Sequence, residues 1–255
     1  MEMSSWRAPL LWRVLLALSR IVVFPLCRLR VYGTVPAQLR GGPVILAANH
    51  VSPFDPLVMV AACHQAGLTP RIMATGGVFD APVLGSIMRA CGHIRVDRNT
   101  VHAANALDAA GAALGENAMV LVYPEGRIGL DPWMWPERGK TGVARMADIT
   151  GAPVLPVAQW GAHAILPYVA PRRMMLPLLR ALVRRPVVRV GFGKPVDLAG
   201  VHGSAGARAV QATRLIMEGI DEALAPLRAG EMRMPHFVDR SRPRDMSRVR
   251  PRAGD

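Results

Sequence analysis

Cysteine is scarce: the chain has three, Cys27, Cys63 and Cys91. The odd number and the lack of any C-x-x-C exclude a disulfide scaffold and suit a reducing compartment. The same scarcity argues against a structural zinc site. Lysine is scarcer still: Lys140 and Lys194 are the only two among 31 basic residues, against 18 acids, for a formal net charge of +13. Long apolar runs are missing too. The stretch from Leu10 to Phe24 is 15 residues, about 22 Å as a helix, which falls short of a hydrocarbon core of about 30 Å. What remains is a chain of 255 residues, 51% apolar, with 24 Gly and 22 Pro. That suits one sizeable domain with a proper core and excludes intrinsic disorder over the bulk of it.

The positive charge is segregated. Residues 1–42 hold six arginines against one acid, residues 172–194 six arginines and a lysine against none, and residues 228–255 eight arginines against four acids. The rest of the chain is slightly acidic. Basic flanks of this kind attract phosphate-rich partners, either an anionic membrane surface or a nucleic acid. Nucleic acid is disfavoured, because these segments contain few aromatics on which bases could stack. In residues 8–27, APLLWRVLLALSRIVVFPLC, Arg13 and Arg20 lie seven apart and share a helix face amid apolar residues. That pattern predicts an amphipathic helix lying in a membrane interface. A signal peptide fits poorly, since Arg20 splits the run and no small-x-small site follows it closely.

The remainder alternates strand-like and helix-like runs. Short β-branched stretches predict strands at 28–32, 43–48, 70–74, 93–97, 118–123, 153–159 and 186–192. Helices are predicted at 56–66, 82–91, 100–115, 140–150 and 205–228. The expected fold is therefore α/β, a mainly parallel central sheet flanked by helices, with the N-terminal interfacial helix added. The expected organisation is a membrane-interface helix at 1–27, the α/β domain at 28–228 and a basic disordered tail at 229–255.

Three clusters sit at predicted strand ends, where active sites gather in such folds. In Asn49-His50-Val51-Ser52-Pro53-Phe54-Asp55 the carboxylate could hold one ring nitrogen of His50 and leave the other to take a proton. Spacing alone also fits Asp55 as a helix N-cap and His50 as a loop histidine. In Gly92-His93-Ile94-Arg95-Val96-Asp97-Arg98 a guanidinium could clamp a phosphate, or Arg98 could pair with Asp97 at the surface. In Tyr123-Pro124-Glu125-Gly126-Arg127, Gly126 permits a tight turn with Glu125 and Arg127 at the rim. Downstream, Lys140 stands between Gly139 and Gly142 at a predicted helix start, a place suited to an anion. A fourth block, Pro153 to Val157, reads as a buried strand. His64, His93, His102, His163, His202 and His236 have no convincing partner spacing and read as surface or packing residues.

In order and spacing these blocks resemble the glycerolipid acyltransferase family, of the lysophosphatidic acid acyltransferase type. Asn49-His50 through Asp55 resembles that family's N-H-x-x-x-x-D motif, Gly92 to Arg98 its second block and Pro124-Glu125-Gly126 its third. Lys140-Thr141-Gly142 resembles the following K-x-G, and Pro153 to Val157 the fourth block. The similarity runs from about residue 28 to 228. The third block departs from the usual E-G-T-R-S: Arg127 replaces the Thr, and the next Arg and the Ser are missing.

The resemblance implies direct acyl transfer. His50, held by Asp55, would act as general base on an acceptor hydroxyl that attacks the thioester of an acyl-CoA or acyl carrier protein. Arg98, Arg127 and Lys140 would hold the acceptor phosphate, with Glu125 and Gly126 also in the substrate site. No metal or other cofactor is expected. The favoured acceptor is the lysophospholipid 1-acylglycerol 3-phosphate, with glycerol 3-phosphate or a glycolipid as alternatives. The expected place is the cytoplasmic face of the cell membrane, peripheral or monotopic. The rival from another class is a non-catalytic basic protein that binds membrane or nucleic acid, against which the intact His50–Asp55 pair argues.

Overall fold

The computed structural model describes residues 6–97, 103–168, 175–229, 239 and 241–248. Helix α1 (Leu10–Leu26) leads into strand β1 (Arg28–Tyr32) and, after a short 3-10 turn, β2 (Val44–Ala48). Then follow α2 (Asp55–Gln65), β3 (Arg71–Thr75), α3 (Gly76–Asp80), α4 (Pro82–Ala90), β4 (Ile94–Val96), α5 (Ala103–Gly115) and β5 (Met119–Val122). The second half adds α6 (Gly142–Thr150), β6 (Val154–Trp160), α7 (Met175–Arg184), β7 (Val187–Phe192) and α8 (Ala205–Leu224).

The seven strands form one sheet in the order β1-β7-β6-β2-β5-β3-β4. Its pairings are parallel except where β7 meets β6. Every residue of β2 and β6 is buried, as expected for strands that are apolar throughout except for Gln159 and have both sheet faces covered. Alternate residues of β2 serve the two sides. Val44, Leu46 and Ala48 pack with α1 and α2, whereas Ile45 and Ala47 pack with α5, α6 and α8. The result is the expected α/β sandwich of helices around a mostly parallel sheet. It sets the loops that follow β2 and β5, two hydrogen-bonded neighbours, side by side at their C-terminal ends.

Each predicted strand lies within one residue of its observed limits at either end. The helices differ more. The α3 turn was not expected. Helix α8 gives way to a 3-10 turn at Ala225, because Pro226 cannot continue the α-helical ladder. Pro177 sits in the first turn of α7, where a missing N–H costs little.

Helix α1 buries Trp12, Leu16, Ser19 and Val23, a stripe at helical spacing that packs toward α2. Its outward surface exposes Leu10, Leu11, Val14, Leu18, Ile21, Val22 and Phe24. Neighbouring α7 exposes Met175, Leu176, Leu179, Leu182 and Val183. Arg185 ties the two together: it donates to the Phe24 carbonyl at 2.7 Å and lies over the Phe24 ring at 4.5 Å. Among the described residues no helix is long and apolar enough to cross a membrane. Within the segment expected to be a disordered tail, residues 241–248 pack against the body, with Arg242 buried. Composition registers this stretch as basic and apolar-poor; it is held by hydrogen bonds and not by a hydrophobic face.

Candidate active site

The turn after β2 carries His50, and α2 opens on Asp55. Their spacing brings the His50 Nδ1 within 2.8 Å of the Asp55 carboxylate. That carboxylate is fully buried, whereas the His50 side chain is 15% exposed. The same Asp55 oxygen accepts the backbone N–H groups of Val51 at 2.5 Å and Ser52 at 2.7 Å. Asp55 therefore does not cap its own helix, which has no side-chain cap. It reaches backward and closes the loop that presents the histidine. With Nδ1 engaged, the ring nitrogen left to work is Nε2.

Three further contacts fix the ring and its peptide. The Tyr123 ring, just past β5, stacks on the imidazole with centroids 4.3 Å apart and planes 23° apart. The His50 N–H donates to Glu125 at 3.0 Å, and the His50 carbonyl accepts from the Gly129 N–H at 2.7 Å. One residue earlier, Asn49 and Gln159 exchange backbone and side-chain bonds of 2.8 to 3.0 Å, fixing the end of β2 to β6.

Glu125 corrects the reading that put it at the rim. It is 1% exposed, and its two oxygens accept the backbone N–H groups of His50 and Glu137, each at 3.0 Å. Burial pushes its carboxyl up to about 8, against those two donors, which hold it down. It ties the loop after β2 to the one that carries Glu137. Gly126 makes the turn, with φ at +69° and its N–H on the Tyr123 carbonyl at 2.9 Å. A Cβ there would sit 3.3 Å from the Lys140 side chain, so Lys140 lies against this turn. The Lys140 backbone N–H donates to the Pro124 carbonyl at 2.8 Å.

Arg127 is partly exposed and already engaged. Its Nη2 lies 3.2 Å from the buried carboxylate of Glu137 and 2.6 Å from the Met246 carbonyl. Burial would raise Glu137, but the Arg248 N–H, the Ser247 hydroxyl and the Arg127 charge outweigh it and hold the carboxyl low. Arg98 lies outside the described residues. In the same block Arg95 pairs with Asp97, at 2.7 Å, and it also bonds Asp80. His93 and His163 are buried packing residues. Burial, with nearby arginines, pushes them down to about 4 and about 3.

The structure thus joins His50, Asp55, Glu125, Gly126, Arg127 and Lys140 in one cluster, in which the His50 imidazole keeps partial exposure. Sequence reasoning missed Tyr123, Glu137, Gln159, Arg242 and Arg248. Tyr123 carried a usable signal, since it follows a strand next to β2; the arginines, more than a hundred residues further on, carried none.

Residues 28–160 match the family described as Acyltransferase. An uncharacterised protein of Mycobacterium tuberculosis is 27% identical over 221 residues, which are 75% of this chain and 59% of that protein. A chloroplastic 1-acyl-sn-glycerol-3-phosphate acyltransferase of Brassica napus is 23% identical over 181 residues, 71% of this chain and 50% of that protein. The chain thus spans about three-fifths or less of the length of these curated relatives. Among solved structures, the 1-acyl-sn-glycerophosphate acyltransferase of Thermotoga maritima superposes with a TM-score of 0.61 at 20% identity. That match covers 83% of this chain and 78% of the other, and it establishes a shared fold.

Proposed function

Because the chain belongs to the acyltransferase family, we propose that it transfers an acyl group from a CoA or carrier-protein thioester to the hydroxyl of a lysophospholipid. The favoured acceptor is 1-acylglycerol 3-phosphate, which would become phosphatidate. One observation carries this reading: the His50 Nδ1 lies 2.8 Å from a wholly buried Asp55 while the imidazole keeps solvent access.

The chemistry follows from that pair. The acceptor O–H gives its proton to His50 Nε2 as its oxygen bonds the thioester carbonyl carbon. Asp55 stabilises the imidazolium that forms. The C–S bond then breaks, the sulfur takes the proton from Nε2, and free thiol and ester leave. No side-chain nucleophile is needed. Lys140 and Arg127, with Arg98 proposed beside them, would draw the acceptor phosphate toward the base. Arg127 would do so with the part of its guanidinium that Glu137 and Met246 leave open. Positioning of this kind supplies much of the rate in such a transfer.

The acceptor assignment is tested by comparing lysophosphatidic acid, glycerol 3-phosphate and monoacylglycerol with one labelled acyl-CoA. A charge-assisted phosphate contact is worth about 1.5–3 kcal/mol, so kcat/KM for lysophosphatidic acid is expected to exceed that for monoacylglycerol about 10- to 100-fold. Equal use of the two would remove the phosphate from the account. Preference for glycerol 3-phosphate would move the acceptor to that alternative.

The substrates of such an enzyme reside in membranes, and we place the protein at the cytoplasmic face through α1 and α7. The outward apolar side chains of both helices, flanked by Arg13, Arg20, Arg180 and Arg184, support this reading. Each arginine near an anionic surface contributes about 1 kcal/mol before screening. The protein is expected to co-sediment with vesicles containing anionic lipid, less at high salt but still measurably. Ile21→Glu with Leu179→Glu should release it even at low salt. Tight salt-dependent DNA binding without vesicle binding would favour the nucleic-acid rival.

A further inference from the structure

Arg242 lies outside the matched region, 192 residues after His50, and its side chain is fully buried. Its Nε donates to Asp239 at 3.0 Å, Nη1 to the carbonyl of Gly129 and Nη2 to the carbonyl of Val51, with the Tyr168 ring 5.4 Å away. Those two carbonyls belong to the loops that form the candidate site. The peptide joining Val51 to Ser52 gives its N–H to Asp55 and its carbonyl to Arg242. The preceding peptide gives its N–H to Asp55 and its carbonyl to the Gly129 N–H, while Arg242 takes the Gly129 carbonyl. Buried carboxylate and buried guanidinium therefore grip the loop from opposite ends of its peptide dipoles. A buried charge is costly unless it is paired and fully hydrogen-bonded, and this one spends two of its bonds on the loops beside His50.

The segment that delivers Arg242 is fixed to the same site elsewhere. The Arg248 N–H donates to Glu137 at 2.6 Å and its Nη2 to the Glu125 carbonyl at 2.7 Å, and Arg127 donates to the Met246 carbonyl.

We propose that Arg242 is a positioning residue for the His50–Asp55 pair: through Val51 and Gly129 it sets the loop geometry that keeps Asp55 on the Nδ1 of His50. This rests on the acyltransferase reading for its kinetic consequence but not for its structural one. Misplacing a base by a fraction of an ångström to an ångström can cost up to about 10²-fold. In the full chain, Arg242→Ala is therefore expected to lower kcat about 10- to 100-fold with both KM values within about twofold, since an interaction serving only the transition state is lost. Added guanidinium ion should restore much of the rate by refilling the vacated space. Arg242→Lys, which cannot bridge both carbonyls, should fall between. Arg208→Ala, a surface control paired with Asp148, should match wild type.

The second arm needs no turnover. The Nδ1 proton shared by His50 and Asp55, assigned by its loss in His50→Ala, should exchange with solvent faster in Arg242→Ala and slow again with guanidinium. A folded Arg242→Ala protein with wild-type kcat and exchange would overturn the inference. So would a loss of rate with unchanged exchange and no rescue, because that marks a merely structural arginine. If wild type transfers no acyl group, the functional reading fails while the exchange arm still decides this one. If the alanine variant does not fold, Arg242→Lys is judged by the same two readouts.

Discussion

Replacing His50 with alanine is expected to lower acyl transfer by at least about 10²-fold, the usual cost of a lost general base. The fold should survive. The loop around His50 is held by backbone bonds to Glu125, Gly129 and Asp55 that alanine leaves in place. What disappears is the imidazole itself, with its bond to Asp55 and its stack on Tyr123. The KM values should change little, because the base meets the acceptor hydroxyl and not the phosphate or the acyl chain. A circular dichroism spectrum like that of wild type, together with a collapsed kcat, is the expected pair of results. Near wild-type turnover would remove His50 from the chemistry.

Asp55→Asn should be impaired on the same order, about 10²- to 10⁴-fold, for a different reason. One oxygen of Asp55 accepts from three donors at once: His50 Nδ1, Val51 N and Ser52 N. If the asparagine oxygen takes that place, the bonds persist but the negative charge that stabilises the imidazolium is gone. If its NH2 group takes that place, it confronts two backbone donors and forces the wrong histidine tautomer. Either arrangement disables the base. The two residues act as one unit, so the double variant should be about as slow as the worse single variant. Losses that multiplied independently would mean that Asp55 serves some step without His50.

The strands were legible because they are short runs, rich in β-branched residues, bounded by Gly or Pro. The buried central pair, β2 and β6, lacks polar residues on either face almost throughout. Helix α3 was not, since five residues beginning Gly-Gly give no periodicity to read. The His50–Asp55 pair could be read from spacing, because five residues across a turn into a helix bring the side chains back together. Glu125 could not. It follows a strand as a rim residue would, and no local pattern says that the backbone of the neighbouring loop turns the carboxylate inward. The packed stretch at 241–248 was hidden for a related reason. Composition measures apolar content, and this segment is secured by arginines that satisfy carbonyls.

The central claim is direct transfer from the thioester to the acceptor hydroxyl, with His50 as base. It is tested most directly by a single-turnover reaction, with excess enzyme on anionic vesicles containing lysophosphatidic acid and a radiolabelled acyl-CoA. The account predicts that label reaches phosphatidate at the rate at which free CoA forms. No label should be found on quenched protein, and His50→Ala should give almost no product over the same interval. Stoichiometric label bound to the protein before acceptor is added, or product from His50→Ala at the wild-type rate, would contradict it.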